Sequence, residues 1–305
     1  EEGVGEDVTY DAAEHDDPPL PDVVGRWRSF DELSRALGEA ELFRSPPSQE
    51  AYLDYRRWAW ESAALDLALR QAGTSLADAL GREPRPVRFV VSMRLPDPPT
   101  ADPVRRWLEL YPRLQFKLDP TSAWTDELVA ELAAIGAVES VDLKGAYRGT
   151  VVDQPADAAL YRRVVEGLPE AWIEDPDLDD PEAAAVLEPH RDRITWDAPI
   201  HSVADVEALP FPPRTLNVKP SRLGSVARLL ELYDWCAERG IGLYGGGQFE
   251  LGPGRGQIQY LASLFHPEMP NDVAPGAYNG PEPRPGLPES PLRPSPEPVG
   301  FRWRL

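Results

Sequence analysis

From about residue 87 the chain falls into an alternation that few folds accommodate: short β-branched or apolar runs separated by stretches with helical spacing. The runs are VRFVVS (87–92), RLQFKL (113–118), VESVDL (138–143), AWIE (171–174), RITWD (193–197), TLNVK (215–219) and IGLYG (241–245). Between and after them come VRRWLELY, WTDELVAELAAIG, ALYRRVVEGL, PEAAAVLEPH, VADVEAL, SVARLLELYDWCAERG and GRGQIQYLASLF. Continuous apolar runs of this length suit strands buried on both faces, and an intervening helix is the connection that parallel strands require. Seven strand–helix units, with a short eighth strand near NDVAPG, predict an α/β fold of the (β/α)7β TIM-like barrel kind. A doubly wound open sheet is the alternative. It would ordinarily place a Gly-rich turn after the first strand, and RFVVSMRLPDPP has none.

The flanks read differently. FDELSRALGEAELF and EAYLDYRRWAWESAALDLALRQAG have amphipathic helical spacing and follow GVGEDVTYD, an extended piece with no pairing partner upstream. Together they form a small element over residues 1–86, whose apolar positions Trp58, Leu65 and Leu69 need covering by the barrel of residues 87–280 or by further strands of the element itself. Residues 281–305 begin PEPRPGLPESPLRPSPEPVG, with proline at nearly every second position, which excludes helix and central strand. This arm is expected to lie extended on the surface or to be disordered, adding little to the core unless the terminal FRWRL docks.

With 305 residues the chain can build a large barrel or two modest domains. A formal net charge of -21 repels nucleic acid and anionic membrane surfaces, so neither is expected as a partner. A small molecule, anionic if local cations reverse the potential, is the expected ligand; homo-oligomer formation is compatible with the sequence. There is no run of about 18 apolar residues, and the acidic start EEGVGEDVTYD is not a signal peptide. The single cysteine, Cys236, permits no intramolecular disulfide and suits a small buried residue, so a cytoplasmic address is expected.

Only three lysines stand against 28 arginines, and each sits where a strand ends: Lys117, Lys144 and Lys219. A lysine amine can be tuned until it gives up its proton, which an arginine guanidinium does not do. Coding bias explains the count equally well. The carboxylates between the lysines carry the argument. In a (β/α) barrel the reactive groups project from the C-terminal strand ends, and the ionisable residues there are Lys117, Asp142, Glu174, Asp197 and Lys219. Their gaps of 25, 32, 23 and 22 residues each correspond to about one strand–helix unit. Each residue alone has a bland explanation, since acidic groups in such loops usually cap helices or pair with arginine.

Three carboxylates on consecutive strands repel one another unless a cation lies between them, and an oxygen-only set suits Mg²⁺, with Mn²⁺ the alternative. Lysines on the strands before and after then flank the ion. This layout fits abstraction of the α-proton of a carboxylate substrate, with the metal stabilising the enolate and a lysine as base. His201, in DAPIHS after the fifth strand, is a candidate contact for such a substrate, although a loop histidine is more often polar surface. His190 and His266 sit beside prolines where they would cap helix C-termini.

At this point the residues resemble a family. LNVKPSRLGS, followed by GIGLYGGGQFELGPGRGQIQYLASLFHP, is similar to the sixth- and seventh-strand region of the enolase superfamily, in its muconate-lactonizing subgroup, and most like o-succinylbenzoate synthases and N-acylamino-acid racemases. WESAALDLALRQAGTSLADALG resembles that family's helix leading into the barrel, and WIEDP its fourth-strand metal motif. The resemblance covers most of the chain. It implies metal ligation by Asp142, Glu174 and Asp197, and Lys219 as sixth-strand base or cation. It also implies Lys117 as the second-strand base, with Gln115 replacing the first lysine of a Lys-x-Lys motif. A two-residue shift of register would instead put Asp119 at the catalytic position. The resemblance further implies that Gly246 makes room for substrate and that Glu250 lies at the pocket's edge.

The departures are specific. Asp142-Leu-Lys144 stands where Asp-x-Asn is usual, so Lys144 is expected to face the metal site or to pair with Asp175 or Asp119; Ala198 stands where Glu is usual. GVGEDVTYD resembles the last strand of the family's capping domain, so residues 1–86 are expected to be a partial α+β capping domain without its earlier strands and specificity loop. The resemblance implies dehydration, cycloisomerisation or racemisation and epimerisation of a carboxylate; a non-catalytic barrel, or a lyase using a lysine Schiff base, are the alternatives.

Overall fold

Seven parallel strands pair in strict chain order, each laid beside the one before it. The computed structural model describes residues 1–147, 154–280 and 282–304; Pro281 and Leu305, the ends of the expected proline-rich arm, lie outside the described residues. The N-terminal element holds α1 (Phe30–Glu39), α2 (Ala51–Ala72) and α3 (Leu76–Leu80). The alternation then runs β1 (Val91–Met93), α4 (Asp102–Leu110), β2 (Phe116–Leu118), α5 (Asp126–Ile135), β3 (Val138–Asp142) and α6 (Ala158–Gly167). It continues with β4 (Trp172–Glu174), α7 (Pro181–Leu187), β5 (Ile194–Trp196), α8 (Val203–Glu207), β6 (Thr215–Val218), α9 (Pro220–Leu223), α10 (Val226–Arg239), β7 (Gly242–Gly245) and α11 (Pro253–Phe265).

Local sequence explains the element ends. Thr125 and Ser225 each accept the backbone N–H three residues on, capping α5 and α10, and Gly136 and Gly240 end those helices in the left-handed conformation that glycine adopts without steric cost. Strands β2 to β6 alternate two kinds of buried side chain. Phe116, Leu118, Val141, Ile173, Leu216 and Val218 join the apolar core, while Lys117, Asp142, Glu174, Thr195 and Asn217 take the other positions along the same strands.

The eighth strand expected near NDVAPG is reduced to a bridge, and it is enough to link the sheet's two edges. Phe89 pairs in parallel with Asn271. The Val90 N–H donates to the Asn271 carbonyl at 2.9 Å, and the Asp272 N–H donates to the Gly245 carbonyl at 2.8 Å. The Asn271 side chain completes the link: its oxygen accepts the Gly245 N–H at 2.6 Å, and its amide donates to the carbonyls of Arg88, His266 and Met269. β1 is shorter than the run 87–92 because Arg88 and Val90 spend their N–H groups on Pro267 and Asn271 rather than on a strand.

The N-terminal helices lean on the barrel as their apolar faces require: Trp58 and Leu69 are buried in the main core, and Leu65 packs against it. Among its described residues the proline-rich arm has no helix, yet it is not peripheral, because Phe301 and Trp303 are docked. Phe301 is fully buried and Trp303 nearly so, both against Tyr260 of α11. Further back, Leu292 exchanges backbone hydrogen bonds with Val87 at 2.7 and 2.9 Å. Asp66, buried in α2, ties both ends of the chain together by accepting from the N–H groups of Val4 and Phe301 and from Arg302 Nε.

Candidate active site and metal centre

The strand-end residues picked from the sequence converge, and they do so already paired. Lys117, buried on β2, hydrogen-bonds Glu174 Oε1 and lies 3.2 Å from Asp142 Oδ2 and 3.6 Å from Asp272 Oδ2. Burial alone would depress the pKa of this ammonium; Glu174, Asp142 and Asp272 outweigh it and hold it well above the usual lysine value. Glu174 Oε2 accepts the Tyr244 hydroxyl from β7. Burial, together with Asp142, Asp197 and Asp175, pushes the Glu174 carboxyl upward against the pull of Lys117. Both members of this pair therefore lean toward holding protons, as expected where carboxylates outnumber cations.

Across the barrel, Asp197 at the end of β5 is held by a second pair of cations. Lys219 Nζ donates to its Oδ2 at 2.7 Å and Arg222 to its Oδ1 at 2.7 Å, and Tyr147 adds its hydroxyl to Oδ2 at 3.0 Å. Despite burial, Arg222 and Lys219 hold the Asp197 carboxyl far below the usual range. For Lys219 the balance reverses: burial, with Arg222 and Lys117 nearby, lowers its pKa in spite of Asp197. A side chain at Gly246 would meet Asn217 Oδ1 at 2.6 Å and Lys219 Cε at 3.0 Å, so this glycine is needed for the lysine stem to pass.

Lys144 faces the same cluster, bonded to Asp142 and 3.6 Å from Asp119, not to Asp175. Glu250 is buried, with Oε1 on the Gln248 N–H and no hydrogen-bond partner for Oε2 among the described residues. Gln115 is occupied by Arg88 and Glu139. His201 is half-buried with its backbone N–H on Asp205, and burial together with Arg222 of the Asp197 cluster lowers the pKa of its ring.

Carboxylate oxygens of Asp142, Glu174 and Asp175 lie within 4.8 Å of one another, all buried. Asp175, however, has both oxygens committed to backbone: Oδ1 accepts the Asp197 N–H and Oδ2 the Ala198 N–H, each at 2.8 Å. It braces the end of β5 and so fixes Asp197. Burial and its neighbours Asp197 and Asp142 raise it to about 7. The donors suit a hard divalent cation in kind, being oxygen only, and in charge. Among the described residues, six carboxyl groups (Asp119, Asp142, Glu174, Asp175, Asp197 and Asp272) meet five cations (Lys117, Lys144, Lys219, Arg222 and Arg94), so negative charge is in excess when all are ionised, which favours a bound cation. The residues fit Mg²⁺, subject to Lys117 and Lys144 yielding Asp142 and Glu174.

The sequence reading did not pick out Arg222, Tyr147, Tyr244 or Asp272. Arg222 carried a signal, three residues after Lys219 on the next helical turn. The N-terminal element also reaches the loop after β7, where Tyr10 and Tyr55 both bond the Gln248 side chain.

A curled seven-stranded parallel sheet with paired lysines around carboxylates at successive strand ends defines a class, and comparison with known proteins agrees with it. Residues 83–280 and 1–79 match the C-terminal and N-terminal domains of the family described as "Domain of unknown function (DUF8230)". An o-succinylbenzoate synthase from Geobacillus stearothermophilus is 27% identical over 290 residues, covering 90% of this chain and 74% of that protein. An N-succinylamino acid racemase from Thermus thermophilus is 31% identical over 268 residues, covering 84% and 67%. In fold, the chain is similar to a dipeptide epimerase from Methylococcus capsulatus solved with Mg and the dipeptide L-Arg-D-Lys, with TM-score 0.68 and 22% identity over 91% of this chain and 78% of that one. The chain belongs to the enolase superfamily, a group of lyases and isomerases in these comparisons, and within it matches the DUF8230 family. It spans about two thirds to three quarters of the length of these curated relatives. Among the described residues no helix is long and apolar enough to cross a membrane.

Proposed function

We propose that this chain abstracts the α-proton of a small carboxylate substrate with the help of Mg²⁺, in a dehydration, cycloisomerisation or epimerisation. The observation that carries this reading is the disposition of Lys117 and Lys219, two buried amines on β2 and β6 that flank Asp142, Glu174 and Asp197 on the strands between them. Asp142, Glu174 and Asp197 hold the ion, with Asp175 positioning Asp197 through the backbone of β5. A bound Mg²⁺ would polarise the substrate carboxylate and stabilise the charge left when the α-proton departs. Lys219 is the better placed of the two to take that proton, because burial and Arg222 lower its pKa. Lys117, held protonated by Glu174, supplies a fixed positive charge or returns a proton on the opposite face. The likeness to an o-succinylbenzoate synthase and an N-succinylamino acid racemase supports a succinylated or acylated carboxylate as substrate.

The test is proton NMR in D₂O with Mg²⁺ and a panel of N-succinylamino acids, acylamino acids and dipeptides. Deuterium should enter the α-position, the exchange should disappear with Lys219→Ala or EDTA, and Lys117→Ala should reduce or abolish it. Undiminished exchange in both lysine variants would exclude this mechanism. A second reading, a non-catalytic barrel that binds a ligand, is favoured by one observation: Lys144 and Arg222 already neutralise Asp142 and Asp197. No exchange by the wild type across the panel would decide for it.

A further inference from the structure

One residue takes both oxygens of the Asp142 carboxylate. Oδ1 accepts the Lys144 backbone N–H at 3.1 Å, and Oδ2 accepts the Lys144 ammonium. The closed loop depends on a left-handed backbone at Lys144, with φ of 56°. That conformation costs a non-glycine residue about 1 kcal/mol, and asparagine tolerates it better than lysine. The chain thus spends backbone strain to bring a cation onto Asp142. The same ammonium lies 3.6 Å from Asp119 Oδ1, a buried atom with no hydrogen-bond partner among the described residues, and 5.3 Å from the Tyr147 ring. Unlike Lys117, whose side chain is 3% exposed and enclosed by three carboxylates, the Lys144 side chain is 15% exposed and has a second carboxylate beside it.

We propose that Lys144 is a built-in competitor for the divalent-ion position, a cation that must move from Asp142 toward Asp119 before an ion is held. The inference rests on the metal reading above and deepens it. Occupancy of the centre is then set by an exchange between an internal ammonium and an external ion, and Asp119 is the receiver that keeps the displaced charge paired. An open ligand in place of Lys144 would hold the ion at much lower concentration.

Mn²⁺ is the probe, with free ion followed by electron paramagnetic resonance and binding heat by calorimetry on the full chain at fixed pH. Lys144→Met, which keeps the stem and deletes the charge, should bind Mn²⁺ about tenfold tighter or more. Lys144→Asn, suited to the backbone conformation, should do the same and carries the test if the methionine variant does not fold. Arg94→Gln removes a cation 3.8 Å from Asp119 that does not touch Asp142, and should change affinity less than about twofold. Equal affinity in wild type and both Lys144 variants would overturn the competitor role and leave the metal reading standing. A gain in Arg94→Gln as large as in the Lys144 variants would overturn it too, because the effect would be general charge. No Mn²⁺ binding by any of the proteins would remove the metal reading and this inference with it.

Discussion

Arg222 shares Asp197 with Lys219, each cation taking one oxygen of the buried carboxylate at 2.7 Å. A single anion thus pairs with two buried basic groups. Removing one partner of a buried pair is far costlier than the pair is worth, because the other charge is stranded.

Asp197→Ala should therefore destabilise the fold by about 3–5 kcal/mol, a larger loss than a cavity of that size would cause. Urea unfolding at pH 7 measures it. A loss under about 1 kcal/mol would mean that Arg222 and Lys219 are satisfied without Asp197, Arg222 through the bond it already makes to Tyr147 and Lys219 through the attraction of Glu174.

Metal binding should track Glu174 more closely than stability does. Calorimetric titration with Mg²⁺ should give one site in the wild type and none in Glu174→Gln, which keeps the shape of the side chain but removes a negative oxygen donor. Undiminished binding by that variant would refute the ligand assignment.

The parts of this molecule legible in the sequence were those governed by short-range pattern. Parallel strands buried on both faces leave apolar runs, and helices between them leave their spacing, so the seven β units and the residues at their ends could be placed by counting. Which side chains pair across those ends could not. Lys117 reaches 57 residues along the chain to Glu174, and Tyr244 reaches 70. The C-terminal arm shows the same limit from the other side. Its prolines correctly excluded helix and central strand, yet an extended segment can be buried if side chains such as Asp66 receive its N–H groups, and no periodicity announces that. Lys144 was marked as a departure, but its left-handed backbone, which determines what it touches, has no signature in Asp-Leu-Lys.

Because Phe301 and Trp303 are docked, deleting residues 299–305 should cost much more than trimming a surface tail. Phe301 alone is fully buried, and Phe301→Ala is expected to lose about 3–5 kcal/mol. Thermal unfolding of the truncated chain should show a drop of well over a few degrees. An unchanged melting temperature would mean that the tail's packing against Tyr260 is not maintained in solution.

His266 gives the fold a defined acid sensitivity. The ring is buried at the end of α11, with Nδ1 2.6 Å from Asn271 Oδ1 and Nε2 3.3 Å from the Tyr233 hydroxyl, and burial lowers its pKa to about 4. The unfolded chain takes up a proton at this residue near pH 6.5, the folded chain only near 4, so the unfolded state binds more protons between these values. Stability at this site is therefore full above about pH 6.5 and falls on acidification toward 4, by about 3 kcal/mol. His266→Gln should be less stable at pH 7 but lose less between pH 7 and pH 5 than the wild type does. An identical pH dependence in the two proteins would show that His266 does not contribute to it.

The net charge of -21 predicts a dependence on salt that no single pair explains. Exposed carboxylates far in excess of cations repel one another across the surface, and this repulsion is relieved when the chain expands, so it favours the unfolded state. Raising ionic strength from about 0.1 to 1 M shortens the screening length from about 10 to 3 Å, which should weaken the long-range repulsion while leaving buried pairs such as Lys219–Asp197 little changed. The melting temperature should therefore rise steadily with KCl, by several degrees over that range, in calorimetric scans at constant pH. Exposed pairs such as Arg44–Asp17 and Arg214–Asp192 work in the opposite sense, since screening weakens attraction as well, but isolated surface pairs contribute little. A melting temperature that falls with salt would mean that these attractions outweigh the excess of negative charge.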